Sequence, residues 1–61
     1  MKITKVTGHN KKGKKIDMFY GSFKVKGAKI VEIIMTNNYV SEKRAISETK
    51  KKMSLYENII N

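Results

Sequence analysis

Lysines grouped around a glycine are the residues of this chain best suited to act on another molecule. Residues 8–15 read GHNKKGKK and are typical of a turn, and Lys26-Gly27 marks a second turn further on. Ammonium groups hold phosphates, and an aromatic ring lying among them can stack on a base. The pattern therefore predicts a nucleic-acid surface, with DNA favoured over RNA, in which the loop lies next to the second turn. Its predicted residues are Lys11, Lys12, Lys14, Lys15, Tyr20, Lys24, Lys26 and Lys29.

The charge of the chain is concentrated in its first half. The formal net charge is +9, and residues 1–29 hold nine lysines against one acid, Asp17. So many like charges repel one another, and a polyanionic partner would offset that cost. Of the 14 basic residues only Arg44 is an arginine, the side chain that reads guanine bidentately. Contacts to the phosphate backbone are therefore favoured over base reading, and lysine serving solubility alone is the alternative.

Catalytic chemistry finds no support in the sequence. His9 is the only histidine, it has no acid nearby to orient it, and Asp17 is better explained by pairing with Lys5. The glutamates are not spaced to share a helical face, and KKGKK lacks the GxxxxGK[ST] context of a phosphate-binding loop. One histidine, no cysteine and scattered acids match no known metal-ligand spacing. We therefore expect a non-enzyme without cofactor or metal.

Length and composition limit the class of protein. A chain of 61 residues is expected to be one small domain spanning 1–61. The longest apolar runs, Met18–Tyr20 and Ile33–Met35, are three residues each, too short for a membrane span or a secretory segment. With no cysteine in the chain, a cytoplasmic protein that does not act at membranes is predicted.

Apolar periodicity and turn residues predict an α+β fold. Alternation and β-branched residues favour strands at about 2–7, 16–26 and 28–36. From about 42 to 60 the apolar spacing changes to 3 and 4, which indicates a helix with Ser41 as N-cap and Val40 packing on Ala45. The expected architecture is a three-stranded antiparallel sheet with one C-terminal helix packed on one face, in the order β-β-β-α.

The register of the second hairpin follows if Lys26-Gly27 is its loop. Lys24 then faces Lys29 and Phe23 faces Ile30. A bulge at Gly21 would exchange the faces of the residues before it. The face predicted to take the helix consists of Phe19, Phe23, Val25, Ala28, Ile30 and Ile34.

The other face of the sheet is predicted to remain uncovered, because one helix cannot cover both sides. Exposed apolar patches of this kind usually mark a contact surface. A homodimer interface is the favoured interpretation, and a protein-partner site or a stacking platform for bases are the alternatives. The predicted patch consists of Met18, Tyr20, Val31, Ile33 and Met35.

The predicted helix begins with Ser-Glu-Lys-Arg-Ala at 41–45. This start and the β-β-β-α order resemble the small DNA-binding domain at the N-terminus of some phage and transposon tyrosine recombinases, whose helix starts with a Thr-Lys-Lys-Glu-Ala type of sequence. The match spans five residues and departs at Arg44. The resemblance implies a sheet that enters the major groove of DNA.

Two other classes of function compete with nucleic-acid binding. One is a small protein-binding inhibitor or regulator of the phage or mobile-element type, which would target an acidic surface or a nucleic-acid-binding enzyme. The other is binding to an anionic membrane or a small anionic ligand. The lysines lie on predicted strands and loops, so the amphipathic helix that usually binds membrane surfaces is missing.

Overall fold

The computed structural model describes residues 1–60, which form three strands followed by one helix. The elements are β1 (Lys2–His9), β2 (Lys15–Lys26), β3 (Val31–Met35) and α1 (Glu42–Met53). The strands form one antiparallel sheet with β2 in the centre, and α1 packs mainly on β2. The predicted β-β-β-α architecture is confirmed.

The first hairpin closes with the predicted turn. The N–H of Gly13 donates to the carbonyl of Asn10 at 2.9 Å, and Gly13 has a φ of 79°, which favours glycine. The Asn10 side-chain oxygen also accepts from the N–H groups of Lys12 and Lys14 at 2.9 and 3.0 Å. Because the turn is held so tightly, β1 continues two residues beyond the predicted end and His9 pairs with Lys15.

The predicted loop and register of the second hairpin are wrong. Four residues, 27–30, connect the strands, and the N–H of Gly27 donates to the carbonyl of Ile30 at 2.7 Å. Phe23 faces Ile34 and Lys24 faces Ile33, so Lys24 is not opposed to Lys29.

Thr36 accounts for the observed register of this hairpin. Its N–H donates to the carbonyl of Gly21 at 2.9 Å, and its hydroxyl oxygen accepts from the N–H of Gly21 at 2.9 Å. The shift from the predicted register is four residues, an even number, so each strand residue keeps its predicted face. Ala28 and Ile30, however, leave the sheet and are exposed in the loop.

The helix begins where predicted and ends seven residues earlier than predicted. The Ser41 hydroxyl oxygen accepts from the N–H of Arg44 at 3.3 Å, which confirms the N-cap. Val40 is 71% exposed, so it does not pack on Ala45 as predicted. Within residues 1–60 no helix has the length and apolar character needed to cross a membrane.

The segment after the helix completes the sheet instead of extending the helix to residue 60. The N–H of Lys26 donates to the carbonyl of Asn58 at 2.8 Å, and the N–H of Ile60 donates to the carbonyl of Lys24 at 3.0 Å. On the opposite edge of β2, Phe19 and Tyr39 exchange two hydrogen bonds. The long central strand is thus paired beyond the ends of its two neighbours.

The core between sheet and helix is thin. Phe23 is 2% exposed, and Ala45 and Thr49 are fully buried. Gly21 does not form a bulge, the alternative that the sequence left open, since the pairing of β1 with β2 continues through it. A Cβ atom at Gly21 would lie 1.7 Å from Thr49 Oγ1, so the missing side chain is what allows the helix to lie this close.

Candidate nucleic-acid interface

The sheet has one face covered by α1 and one face without a covering element. Side chains alternate along a strand, and the direction of the Gly21 Cβ toward Thr49 identifies the odd-numbered residues of β2 as facing the helix. Residues directly opposite each other in an antiparallel sheet share a face. The open face is therefore formed by Lys2, Thr4, Val6, Gly8, Ile16, Met18, Tyr20, Ser22, Lys24, Lys26, Val31, Ile33 and Met35.

The open face carries only positive charge. Lys2, Lys24 and Lys26 lie on it toward one end, and among residues 1–60 no acidic side chain shares it. Asp17 and Glu32 lie on the strands but point to the helix side. The remaining acids belong to α1 and the segment after it: Glu42, Glu48 and Glu57. The acids of residues 1–60 therefore all lie off the open face, whereas basic residues lie on both sides of the sheet.

Asp17 forms an ion pair with Lys5, the partner predicted for it. Lys5 Nζ lies 3.4 Å from Asp17 Oδ2, which confirms the expected pairing. Both residues have odd-numbered positions on the helix side, so the pair removes none of the positive charge from the open face. Within residues 1–60 the lysines of the open face form no ion pair.

Apolar and hydroxyl side chains surround the charged end of the open face. Tyr20 is half-buried and faces Thr4 across the strands. A groove of about 530 Å³ runs between Tyr20 and the side chains of β3, and two lysines line it. Its open-face lining residues are Lys2, Thr4, Tyr20, Ser22, Lys24, Ile33 and Met35.

The structure does not bring the two predicted groups of lysines together, and their predicted adjacency is wrong. The basic loop (Lys11, Lys12, Lys14 and Lys15) lies at the start of β2, whereas Lys24 and Lys26 lie at its end. A strand of twelve residues spans about 36 Å between its first and last Cα. Both hairpins share this strand, so their turns must lie at opposite ends of the molecule. Lys29 lies in the exposed loop beyond Lys26.

The predicted apolar patch divides into two parts. Val31, Ile33 and Met35 are 50%, 62% and 57% exposed on β3. Met18 and Tyr20, nearer the middle of the sheet, are half-buried. The Met18 side chain lies over Gly8, since a Cβ atom there would be 2.5 Å from Met18 Cε.

Lys2 is the open-face lysine that the sequence reasoning missed. Alternation along β1 would have placed it on the same side as Val6, away from Lys5.

Arg44 lies on the helix, and its guanidinium carbon is 5.1 Å from the centre of the Tyr39 ring, a cation–π arrangement. The single arginine is thus placed away from the open face, which leaves only lysines there.

Comparison of the chain with protein-family models, with curated proteins and with solved structures finds no match.

Proposed function

We propose that the protein is a small, non-catalytic nucleic-acid-binding module that holds phosphates with the lysines of its open face and its basic loop. The observation that carries this proposal is that the open face holds lysines without any acid among residues 1–60. Among residues 1–60, three lysines and no acid lie on this face, which also offers Tyr20 and hydroxyl groups. Such a combination of ammonium groups and an aromatic ring suits a phosphate backbone and its bases.

The distance between the two basic ends favours duplex DNA as the ligand. The basic loop and Lys26 are separated by about 36 Å along β2. One turn of B-DNA rises by about 34–36 Å, so phosphates one turn apart match the two ends of the sheet. The apolar and hydroxyl side chains between them would then face the groove.

The test compares a variant that loses two lysines from the open face with a variant that loses two lysines elsewhere. Fluorescence anisotropy is measured with labelled duplex DNA, single-stranded DNA and RNA over a range of salt concentrations. The test variant carries Lys24→Gln and Lys26→Gln. The matched control carries Lys43→Gln and Lys50→Gln, which remove the same charge from exposed positions of α1.

The open-face variant is expected to bind duplex DNA more weakly, with a salt slope smaller by about 0.9 for each phosphate that the protein no longer neutralises. The control variant is expected to keep most of the affinity and the slope, because its lysines lie outside the proposed interface. An equal decrease in affinity for both variants would show a non-specific attraction to a basic protein and overturn the assignment of this face. Absence of binding at low salt would overturn the proposal as a whole.

A small inhibitor or regulator that binds an acidic protein surface is the second candidate. The exposed apolar side chains of β3 lie beside Lys24 and Lys26, a combination that also fits an acidic protein with an apolar patch. Recovery of one stoichiometric partner after nuclease treatment, with no direct nucleic-acid binding, would favour this candidate.

A further inference from the structure

The outer edge of β3 presents backbone groups without a strand beside it. The carbonyl of Gly21 accepts from the N–H of Thr36, and the N–H of Gly27 donates to the carbonyl of Ile30. In β3 and the residues that flank it, the backbone groups of the even-numbered residues therefore bond to β2. In an antiparallel ladder the intervening residues point outward. The N–H and C=O groups of Val31, Ile33 and Met35 therefore line the outer edge, where Lys52 Nζ donates to the Met35 carbonyl at 3.0 Å.

Apart from Lys52 at the Met35 carbonyl, this edge has few of the features that keep sheet edges apart in other proteins. Lysine, proline, bulges and short charged strands protect an edge from pairing with another chain. Val31–Met35 contains no lysine and no proline, and its only charged residue is Glu32. The opposite edge strand, β1, carries Lys2 and Lys5 and so has the protection that β3 lacks.

We infer that β3 pairs antiparallel with β3 of a second copy of this chain, about a two-fold axis through Ile33. Ile33 is the middle residue of the strand and has an outward-pointing backbone, so it lies opposite Ile33 of the second copy. Val31 then lies opposite Met35 of the second copy, and Glu32 lies opposite Ile34. No like charges are opposed in this register.

The arrangement shields one flank of the most exposed apolar strip of the sheet. Val31, Ile33 and Met35 are each at least half exposed in the single chain, and all three share the open face. Pairing places them beside their counterparts from the second copy in one continuous strip. Among the described residues of one chain, the fully buried apolar side chains are only Phe23 and Ala45, and small domains with so little core commonly gain stability by association.

Charge favours a second copy at the edge over a second copy on the open face. Packed face to face, two sheets lie about 10 Å apart, and Lys2, Lys24 and Lys26 of each copy would be enclosed against a face that offers no acid within residues 1–60. Joined edge to edge, the two Lys24 residues are separated by three strand spacings, about 14 Å, beyond the Debye length of about 10 Å at 0.1 M salt. A two-fold axis perpendicular to the sheet also keeps both open faces on the same side.

The test measures the mass of the full chain by sedimentation equilibrium across micromolar to millimolar concentrations, in the absence of nucleic acid. Failure of this inference is therefore distinguishable from failure of the proposed DNA binding. Ile33→Lys sets two like charges against each other at the axis. The matched control is Ile30→Lys, since Ile30 is 63% exposed against 62% for Ile33 but lies in the loop.

The wild-type chain and Ile30→Lys are expected to dimerise, and Ile33→Lys is expected to be monomeric with an unchanged circular dichroism spectrum. Mixing the Ile33→Lys chain with an Ile33→Glu chain is expected to restore a dimer, because opposite charges then meet at the axis. A monomeric wild-type chain at all concentrations would overturn the inference. So would a dimer that Ile33→Lys leaves intact, or a mixture that stays monomeric.

Discussion

The contact between Gly21 and Thr49 sets how closely α1 approaches the sheet. Thr49 is fully buried, and its hydroxyl donates to the carbonyl of Ala45 at 2.6 Å, which satisfies the buried oxygen within the helix. With its polar group satisfied, the side chain can press directly on the backbone of β2. Any side chain at Gly21 would occupy the same space as Thr49.

Gly21→Ala is therefore expected to destabilise the fold by about 1–3 kcal/mol, because overpacking a closed core forces the helix away from the sheet. The cost should fall in a Thr49→Ala background, where the nearest atom is removed. Urea unfolding of both single variants and the double variant gives the coupling free energy, expected to be at least about 0.5 kcal/mol.

Gly8→Ala is the matched control for that substitution. The added Cβ would meet only the flexible end of Met18 on the open face, so the side chain can move aside. A decrease in stability at Gly21 no greater than at Gly8, or strictly additive effects at Gly21 and Thr49, would contradict the proposed packing.

At the scale of elements, the chain after α1 acts as part of the sheet. Tyr56 lies beyond the end of the helix, and its ring meets Phe23 edge to face with centroids 5.4 Å apart. The next residues pair with the end of β2 through Asn58 and Ile60. This segment closes the core at the end of the sheet that β1 does not reach, since β1 pairing stops at Ser22.

Tyr56→Ala is expected to lower the free energy of unfolding by about 2 kcal/mol, less than for a fully buried ring because Tyr56 is only half-buried. Its neighbour Leu55 is 80% exposed, so Leu55→Ala should change stability by no more than about 0.5 kcal/mol. Thermal or urea unfolding checks both. Similar stabilities for the two variants would show that the segment does not contribute to the core.

The sequence predicted the elements better than their connections. Alternation, the turn within residues 8–15 and the Ser41 N-cap are local signals, and each appears in the structure as predicted. The end of the helix was missed because Tyr56 and Ile59 continue the helical spacing, while their contacts are with Phe23 and Val25 of a distant strand. Such pairing depends on the tertiary structure, which no local pattern contains.

The candidate surface also combines features that local sequence patterns predict with features that depend on tertiary contacts. The face of each lysine could be predicted from strand alternation, and the change of hairpin register did not alter it. The distance between the basic loop and Lys26 could have been read from the length of the strand between them. The free edge of β3, by contrast, depends on the hairpin register and on the placement of Tyr39, both of which involve contacts remote in sequence.

At the scale of the whole molecule, the elongated shape determines how the charges act together. The principal extents are 45 × 20 × 14 Å, and the long dimension accommodates β2 with a basic group at each end. Two charge clusters this far apart are screened from one another at physiological salt. They can cooperate only through a ligand that is long enough and stiff enough to reach both.

Affinity should therefore depend on the length of the duplex. A duplex of about 12 base pairs, some 40 Å long, reaches both basic ends, whereas one of about 6 base pairs reaches one. Replacing Lys11, Lys12 and Lys14 by glutamine should weaken binding to the longer duplex and lower its salt slope more than for the shorter duplex, which can still bind at the Lys24 and Lys26 end. Replacing the exposed helix lysines Lys43, Lys50 and Lys51 removes equal charge and should leave the length dependence in place. If affinity per base pair is the same for both lengths in the wild-type chain, the two ends do not bind one duplex together, and the interface is confined to a single end of the sheet.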